Sequence, residues 1–398
     1  MSAGARSLGG AAGRAALPAT VVALGVVSLL TDLSSEMIYP LLPLFLTTIL
    51  GAGPQALGLI EGLAESTASL VKVASGAWSD RVRRRKPMVV IGYALAGAVR
   101  PLIGLASAWP TVALLRFADR VGKGLRTSPR DALIADETPA IQRGEAFGLQ
   151  RALDHLGAVA GPLVAAALLT FAGVSLRAVF VLALVPAVAV VAVLLAWVRE
   201  APRRRPAAPV RLAGAWRELG RPVHVVLAAV LLFTLGNSTD AFLLLRLSDA
   251  GVSPAGVAVA WSGFHVVKTV AAYLGGRGSD RLGRRPMLIA GWAYYAAVYL
   301  TFALVTSRTA VIATFLAYGL YYGLTEPVER AWVADLVPVH LRGTAFGLYH
   351  GAIGIAALPA SVLFGFLWQH VGAAAAFGTG AALAGAASLL LLAVPTRR

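Results

Sequence analysis

The sequence contains no cysteine, and only 14% of its 398 residues are charged. The lack of cysteine excludes disulfides, thiolate metal sites and cysteine nucleophiles. The six histidines are scattered and form no HExxH pair, so we expect no metal centre and no cofactor, although a metal ion as substrate stays possible. No nucleophile–base pair or phosphate-binding loop is visible either, which argues against an enzyme.

The shortage of charge accompanies an excess of apolar residues, which make up 58% of the chain. A soluble domain usually carries about 25% charged residues. Such a chain cannot hide its apolar surface in its own core, so the bilayer must be part of its solvent. Long continuous runs such as 183–198 and 378–394 suit spanning helices of roughly 20 residues, whereas a barrel would show short alternating strands. An all-α polytopic membrane protein is therefore expected.

Twelve spanning helices fit the length of the chain. The predicted helices cover 17–48, 55–79, 86–107, 109–135, 141–170, 175–198, 222–247, 254–279, 286–306, 309–336, 339–370 and 373–395. The first apolar stretch runs too long for a signal peptide and has no plausible cleavage site before Asp32, so we interpret it as the first spanning helix.

The net charge of +16 would suggest a nucleic-acid partner in a soluble protein. Here lysine and arginine concentrate at both termini and in 81–86, 199–221 and 277–285, while loops near 49–56, 106–110 and 247–253 contain none. This asymmetry is the positive-inside pattern of membrane proteins. It predicts that both termini and the segment 199–221 are cytoplasmic, and that the protein binds no nucleic acid.

An internal repeat divides the chain into two halves of one design. Segment 76–81 (GAWSDR) returns as 276–281 (GRGSDR), and 143–149 (RGEAFGL) returns as 342–348 (RGTAFGL), a step of 199 or 200 residues. Long-period duplication in so apolar a chain is typical of transporters built from repeats. We predict a bundle at 1–198, a polar linker at 199–221 and a second bundle at 222–398.

Charge is unevenly distributed among the predicted helices. The sixth, ninth and twelfth carry no charged residue in their interiors, and the third carries only Arg100. Because a charged group facing lipid is costly, the charged helices should face a wet interior. Every third helix is then outer scaffold, and the others can line a cavity.

Several motifs resemble those of one known family. Segments 76–86 and 276–285 resemble the loop motif between helices 2 and 3 of the major facilitator superfamily, and 120–124 (RVGKG) resembles its R-x-x-Q-G motif with Lys123 in the glutamine position. The resemblance covers essentially the whole chain. It implies the major facilitator fold, with 12 transmembrane helices in two pseudo-symmetric six-helix bundles that rock around a midplane site. Segment 157–162 (GAVAGP) resembles the G-x-x-x-G-P motif of the family's exporters, although G-x-x-x-G is also a common packing motif.

Acidic residues inside the predicted helices are candidates for proton coupling. A carboxylate that moves between a dry site and a site beside an arginine loads and unloads a proton. The candidates are Asp32, Glu36, Glu61, Glu65 and Asp154, with Arg120 as the buried cation that tunes a nearby acid. Asp32 and Glu65 are favoured as proton carriers, and the alternative is a static ion pair with Arg120, Lys72 or Arg151.

Other polar and aromatic side chains on these helices are candidates for binding substrate. They are Lys72, Arg116, Lys123, Arg151, His155, Asn237, Asp240, His265, Lys268, Tyr318, Tyr322, Glu326, Tyr349 and His350. The halves share their frame but differ in chemistry at aligned positions, as Glu65 and His265 do. This difference is expected for an asymmetric substrate.

Charged residues near the basic loops are candidates for a cytoplasmic gate. They are Asp80, Arg81, Arg130, Asp136, Asp280, Arg281 and Asp335. An aspartate can accept backbone N–H bonds at a helix start, and an arginine can pair with Asp136 or Asp335, so such contacts could hold this side shut. The alternative for the arginines is membrane topology alone.

The functional prediction that the resemblance supports is proton-coupled efflux of a small organic molecule across the inner membrane of a bacterium, similar to the drug:proton antiporters of the family. The partners would be this substrate, protons as coupling ion and the lipid bilayer, and a monomer is expected. The alternative is a transporter of an anionic solute such as a siderophore, sugar phosphate or organic acid, which the many basic residues favour. A membrane enzyme or receptor is a remote third possibility.

Overall fold

The computed structural model describes residues 16–79, 81–139, 142–200, 219–337 and 342–394. Within these ranges the chain forms twelve long helices and no strand, as the sequence predicts. The helices are α1 (Ala19–Ile49), α2 (Pro54–Ser79), α3 (Lys86–Leu105), α4 (Trp109–Glu137), α5 (Arg143–Phe171), α6 (Leu176–Trp197), α7 (Gly220–Asp249), α8 (Pro254–Leu282), α9 (Arg284–Leu304), α10 (Arg308–Leu336), α11 (Arg342–His370) and α12 (Ala373–Ala393).

Nine of the described helices are long and apolar enough to cross a membrane. The three that fall short are α2, α4 and α10, and each carries several charged residues. All three helices contribute residues, several of them charged, to the lining of the cavity between the two bundles. The three helices with the lowest hydropathy are therefore among those that line the cavity.

Two helices are irregular at equivalent places. In α1 the regular helix ends at Ile38 and continues as a 3₁₀ turn at Tyr39–Leu41 and a π-helix at Phe45–Ile49. Pro40 and Pro43 lie in this stretch, and proline removes a backbone donor from the helical ladder. In α7 the helix is interrupted between Gly236 and Ala241. The two breaks are about 200 residues apart in the sequence, which is the step of the internal repeat.

Helices α1–α6 and α7–α12 form the two bundles, which meet along α2 with α11 and α5 with α8. We call the end with the loop 81–85 and Gly283 the basic end, and the other the opposite end. The predicted linker 199–221 lies mostly outside the described residues. Its first two residues, Arg199 and Glu200, pack on the first bundle, and α7 begins at Gly220.

The bundles touch in the halves of their helices nearest the opposite end. Ser66 Oγ donates to the Gly354 carbonyl at 2.6 Å, and the Gln55 amide donates to Gln369 Oε1 at 3.1 Å. Nearer the basic end, a Cβ on Gly347 or Gly351 would meet nothing within 4 Å among the described residues. The space between the bundles is thus closed at the opposite end and widens toward the basic end.

Candidate substrate cavity

A cavity of about 620 Å³ lies between the two bundles. Its lining comes from α1–α5, α7, α8, α10 and α11, whereas α6, α9 and α12 contribute none of the lining residues. The predicted scaffold helices therefore lie outside, except that α3 adds Arg100 and Ile103. Most predicted site residues line this cavity: Asp32, Glu36, Glu65, Lys72, Arg116, Arg120, Lys123, Arg151, Asp154, Asn237, Asp240, His265, Lys268, Tyr322, Glu326, Tyr349 and His350. Glu61, His155 and Tyr318 do not line it.

A buried ion-pair network at the cavity wall joins α2, α3 and α4. Arg116 holds Glu61 with Nη2 at 2.6 Å from Oε1 and 2.8 Å from Oε2, and Arg100 Nε lies 2.7 Å from Asp119 Oδ1. Arg116 Nη1 also reaches Asp119 Oδ2 at 3.4 Å. Bidentate arginine–carboxylate pairs of this kind are strong and geometrically specific. The network braces three helices.

Two arginines of α4 lie beside buried acids. Arg116 binds Glu61, and the Nε of Arg120, the cation predicted to tune a nearby acid, lies 3.9 Å from Asp119 Oδ2. The Arg120 Nε has no hydrogen-bond acceptor among the described residues. The two arginines are one helical turn apart, so the motif alone does not distinguish which of them faces Glu61.

Three charged side chains in the cavity have no direct partner. In the described part of the chain, the side chains of Asp32, Glu65 and Lys123 make no hydrogen bond and no ion pair. Lys123 nevertheless interacts electrostatically with both carboxylates. Glu65 and Lys123 are exposed to the cavity, and Asp32 is half-buried. The static ion pairs considered as an alternative for Asp32 and Glu65 are therefore not formed with the described residues.

The glycines of 157–162 bring α5 against α1 directly behind two of the acids. A Cβ on Gly157 would lie 3.0 Å from the Asp32 Cβ, and one on Gly161 would lie 3.0 Å from the Glu36 Cβ. Glycine therefore permits the close approach of the two helices at these positions. The motif has a packing role that places Asp32 and Glu36 at the cavity wall.

A second carboxylate site lies at the break in α7. Asp240 accepts hydrogen bonds from the hydroxyls of Tyr318 and Tyr322, each at 2.9 Å. Lys268 Nζ lies 3.8 Å from the ring centroid of Tyr322 and 3.9 Å from Glu326 Oε2. The two tyrosines, predicted to bind substrate, thus hold the Asp240 carboxylate with their hydroxyls.

Hydrogen bonds between the two bundles form the floor of the cavity. Trp261 Nε1 donates to Glu36 Oε2 at 2.7 Å, and the hydroxyls of Tyr39 and Thr239 lie 3.3 Å apart. His265 Nε2 is 3.9 Å from Glu36 Oε2, and neither ring nitrogen has a hydrogen bond within the described ranges.

Trp261 and Thr239 were not among the predicted site residues. The repeat offers a signal for both, because Tyr39 aligns with Thr239 and Trp261 aligns with Glu61 at a step of 200.

The predicted gate residues are arranged differently from the expectation. Asp136 pairs with Arg85 and Asp335 with Arg284, the latter at 3.4 Å, rather than with Arg81 and Arg281, which are exposed. Both pairs join α4 or α10 to the start of the next-door helix in the same bundle, so they do not bridge the halves. Asp80 lies outside the described residues, as does the side chain of Asp280 in α8.

Arg130, another predicted gate residue, lines the cavity, where its Nη2 pairs with Asp131 Oδ1 at 2.8 Å. Nearer the surface, Arg151 Nη1 lies 3.5 Å from Asp154 Oδ2 with its side chain 51% exposed.

The described residues contain no group of three or more His, Asp or Glu side chains that could hold a metal ion.

Comparisons with known proteins agree with this architecture. Residues 24–248 and 241–398 match the sequence model of the Major Facilitator Superfamily. An MFS-type transporter of Methanocaldococcus jannaschii is 32% identical over 385 residues, which cover 94% of this chain and 95% of that protein. A probable 4-methylmuconolactone transporter of Cupriavidus pinatubonensis is 27% identical, over 79% of this chain and 76% of that protein.

The fold is also similar to a solved structure. The inward-facing, unoccupied crystal structure of a bacterial homolog of the human lysosomal transporter Spinster matches with a TM-score of 0.72 at 18% identity, over 96% of both chains. The family match, the relative that is similar over nearly its full length and the two-bundle fold agree. The chain is therefore a multi-pass membrane transporter of the Major Facilitator Superfamily, and not an enzyme.

Proposed function

We propose that the protein exports a small organic molecule across the inner membrane of a bacterium by exchanging it for protons. The observation that carries the proposal is the pair of cavity carboxylates, Asp32 and Glu65, that lack a direct partner while Lys123 lies within electrostatic range of both. A coupling site must be free to change its protonation during the cycle. Glu61 does not meet that requirement, because Arg116 holds both of its oxygens.

Competition for the same carboxylates would couple the two fluxes. A substrate with a positive or hydrogen-bond-donating group binds Asp32 and Glu65 in their charged forms and displaces their protons. Protons from the other side then displace the substrate after the bundles have rocked. Exchange requires that the bundles rock when substrate or protons occupy the site, and not when the site is empty.

The direction of transport and the orientation rest on two supports. The cavity widens toward the basic end, which the positive-inside pattern assigns to the cytoplasm together with both termini. In this state a substrate would enter from the cytoplasm, as an exporter requires. The G-x-x-x-G-P resemblance of 157–162 also favours export, and we take the unit of function to be the monomer.

A second candidate is transport of an organic anion. Lys123 has no direct partner, and the Arg126 guanidinium lies 4.1 Å from the Tyr93 ring centroid with no carboxylate in contact among the described residues. Both side chains line the cavity. An anion bound to Lys123 would remove the cation from Asp32 and Glu65, so these acids would take up protons together with the substrate.

The test begins with a thermal-shift screen of organic cations, anions and neutral compounds at pH 6 and pH 8, followed by liposome transport of the hits. We expect Asp32→Asn or Glu65→Gln to abolish uphill, proton-driven transport while exchange of labelled for unlabelled substrate persists. Asp131→Asn is the matched control, because this cavity carboxylate is already paired with Arg130. Unchanged uphill transport in both Asp32→Asn and Glu65→Gln would contradict the proposal.

The same assay distinguishes the two candidates. Proton release on substrate addition supports exchange, whereas proton uptake supports the anion alternative. Lys123→Gln should weaken the binding of anionic hits by about tenfold, as expected for the loss of one charged hydrogen bond of roughly 1.5 kcal/mol. Equal loss for neutral and anionic hits would show that Lys123 has no role in selecting charge.

A further inference from the structure

A groove of about 580 Å³ lies on the outer face of the first bundle, away from the transport cavity. It runs between the start of α3 and the end of α6 at the basic end. Both are scaffold helices that face the bilayer. Its lining includes Arg84, Lys86, Ile91, Leu195, Arg199 and Glu200.

The groove has an apolar wall and a cationic rim. Ile91 and Leu195 in the wall are 58% and 60% exposed, and the neighbouring Trp197 is 62% exposed. At the rim, the exposed guanidinium groups of Arg84 and Arg199 have no partner among the described residues. A tryptophan beside exposed arginines is typical of the membrane–water interface.

Hydrogen bonds between α3 and α6 hold the groove in shape. Glu200 accepts from the backbone N–H groups of Arg85 and Lys86 at 2.6 and 2.8 Å. Lys86 Nζ donates to the Val198 carbonyl at 2.7 Å and to the Leu195 carbonyl at 3.3 Å. The amides at the start of α3 are therefore already occupied, so an anion in the groove would be bound by the two rim arginines.

We propose that this groove is a binding site for one anionic phospholipid. The phosphate lies between Arg84 and Arg199, and an acyl chain follows Ile91 and Leu195 toward the hydrocarbon. Three cations against one carboxylate make the rim net positive, which favours an anionic headgroup over a zwitterionic one. A soluble phosphate would leave the apolar wall uncovered. A phospholipid covers the wall with its acyl chain and binds the rim arginines with its phosphate.

The experiment is native mass spectrometry of the full chain after delipidation and titration with dioleoyl phosphatidylglycerol or dioleoyl phosphatidylcholine. We expect the wild type to retain one phosphatidylglycerol and no phosphatidylcholine at matched concentration. Arg84→Gln/Arg199→Gln should weaken phosphatidylglycerol binding by about 10- to 30-fold, because each cation at an anionic lipid surface contributes about 1 kcal/mol. Arg81→Gln/Arg221→Gln removes the same charge from the same end outside the groove and should bind like the wild type.

A second measurement locates the lipid without altering the rim. Phosphatidylglycerol with brominated acyl chains should quench tryptophan fluorescence, and Trp197→Phe should remove most of that quenching. Equal retention of both lipids, equal losses in the two double variants, displacement by millimolar inorganic phosphate, or unchanged quenching in Trp197→Phe would each overturn the proposal.

Discussion

At the scale of single residues, the charged side chains of the cavity region are of two kinds. Glu61 and Asp119 are held by arginines inside the first bundle, whereas Asp32 and Glu65 have no direct partner among the described residues. Removing one member of a buried pair leaves an uncompensated charge, which costs about 3–5 kcal/mol. The first kind is therefore expected to support the fold, and the second to change charge during transport.

Arg116→Met should strongly destabilise the protein, because it leaves Glu61 buried without its cation. We expect a loss of about 3–5 kcal/mol, measured by thermal unfolding followed through intrinsic tryptophan fluorescence. Glu61→Met/Arg116→Met should recover much of the loss, since neither charge remains while Asp119 keeps Arg100. Arg151→Met is the control, because exposed pairs contribute about 0–1 kcal/mol. A loss in Arg116→Met no larger than in this control would contradict the structural role.

At the scale of elements, glycine decides how closely the helices around the acids approach. A Cβ on Gly157 would overlap the Leu29 carbonyl of α1, whereas one on Gly148 of the same helix would meet nothing within 4 Å of the described chain. In a contact packed this closely, adding even one methyl group lowers the stability of the protein. The two glycines of α5 therefore offer a matched comparison.

Gly157→Ala should force α5 away from α1 beneath Asp32 and lower stability by about 1–3 kcal/mol, the usual cost of overpacking. Gly148→Ala should be neutral or slightly stabilising, because alanine favours a helix interior by up to about 1 kcal/mol over glycine. Unfolding midpoints and transport rates of both variants provide the measurement. Equal behaviour of the two variants would show that the close approach at Gly157 is unimportant.

At the scale of the whole molecule, the contacts between bundles near the opposite end hold the observed state. Glu36 with Trp261 and Tyr39 with Thr239 are hydrogen bonds that opening on that side would break. The Arg85–Asp136 and Arg284–Asp335 pairs can stay intact, since each lies within one bundle. Removing a hydrogen bond between the bundles should therefore change the populations of the two states, whereas removing an ion pair within one bundle should not.

Trp261→Phe keeps an aromatic ring but removes the N–H that Glu36 accepts. A hydrogen bond to a charged group contributes about 1.5–3 kcal/mol, so the population open at the opposite end should rise by about tenfold or more. Spin labels on Ser107→Cys and Thr306→Cys, which are exposed at equivalent positions on that end, would report it as a longer distance. The cysteine-free chain needs no prior replacement of thiols. Arg284→Gln should leave the distance distribution unchanged, and a shift as large as that of Trp261→Phe would contradict the assignment.

Much of the frame could be predicted from the sequence because it depends on local and periodic signals. The 199- or 200-residue repeat and the charge pattern predict twelve helices, their division into two bundles and the scaffold position of the sixth, ninth and twelfth. The pairing of charges could not be predicted in the same way. Arg116 and Arg120 lie one turn apart, and only the packing of α2 on α4 determines that Arg116 meets Glu61.

By itself, the sequence determined that this chain is a duplicated, helical membrane protein, because apolar content, arginine distribution and repeats are properties of composition and order. Only the tertiary structure decided which acids lack a direct partner among the described residues, that Tyr318 and Tyr322 hold Asp240, and that the Arg85–Asp136 and Arg284–Asp335 pairs each stay within one bundle. Those facts depend on distances of a few ångströms between helices far apart in the chain. Electrostatic and hydrogen-bond energies change steeply over such distances, whereas the spacing of residues along the sequence does not record them.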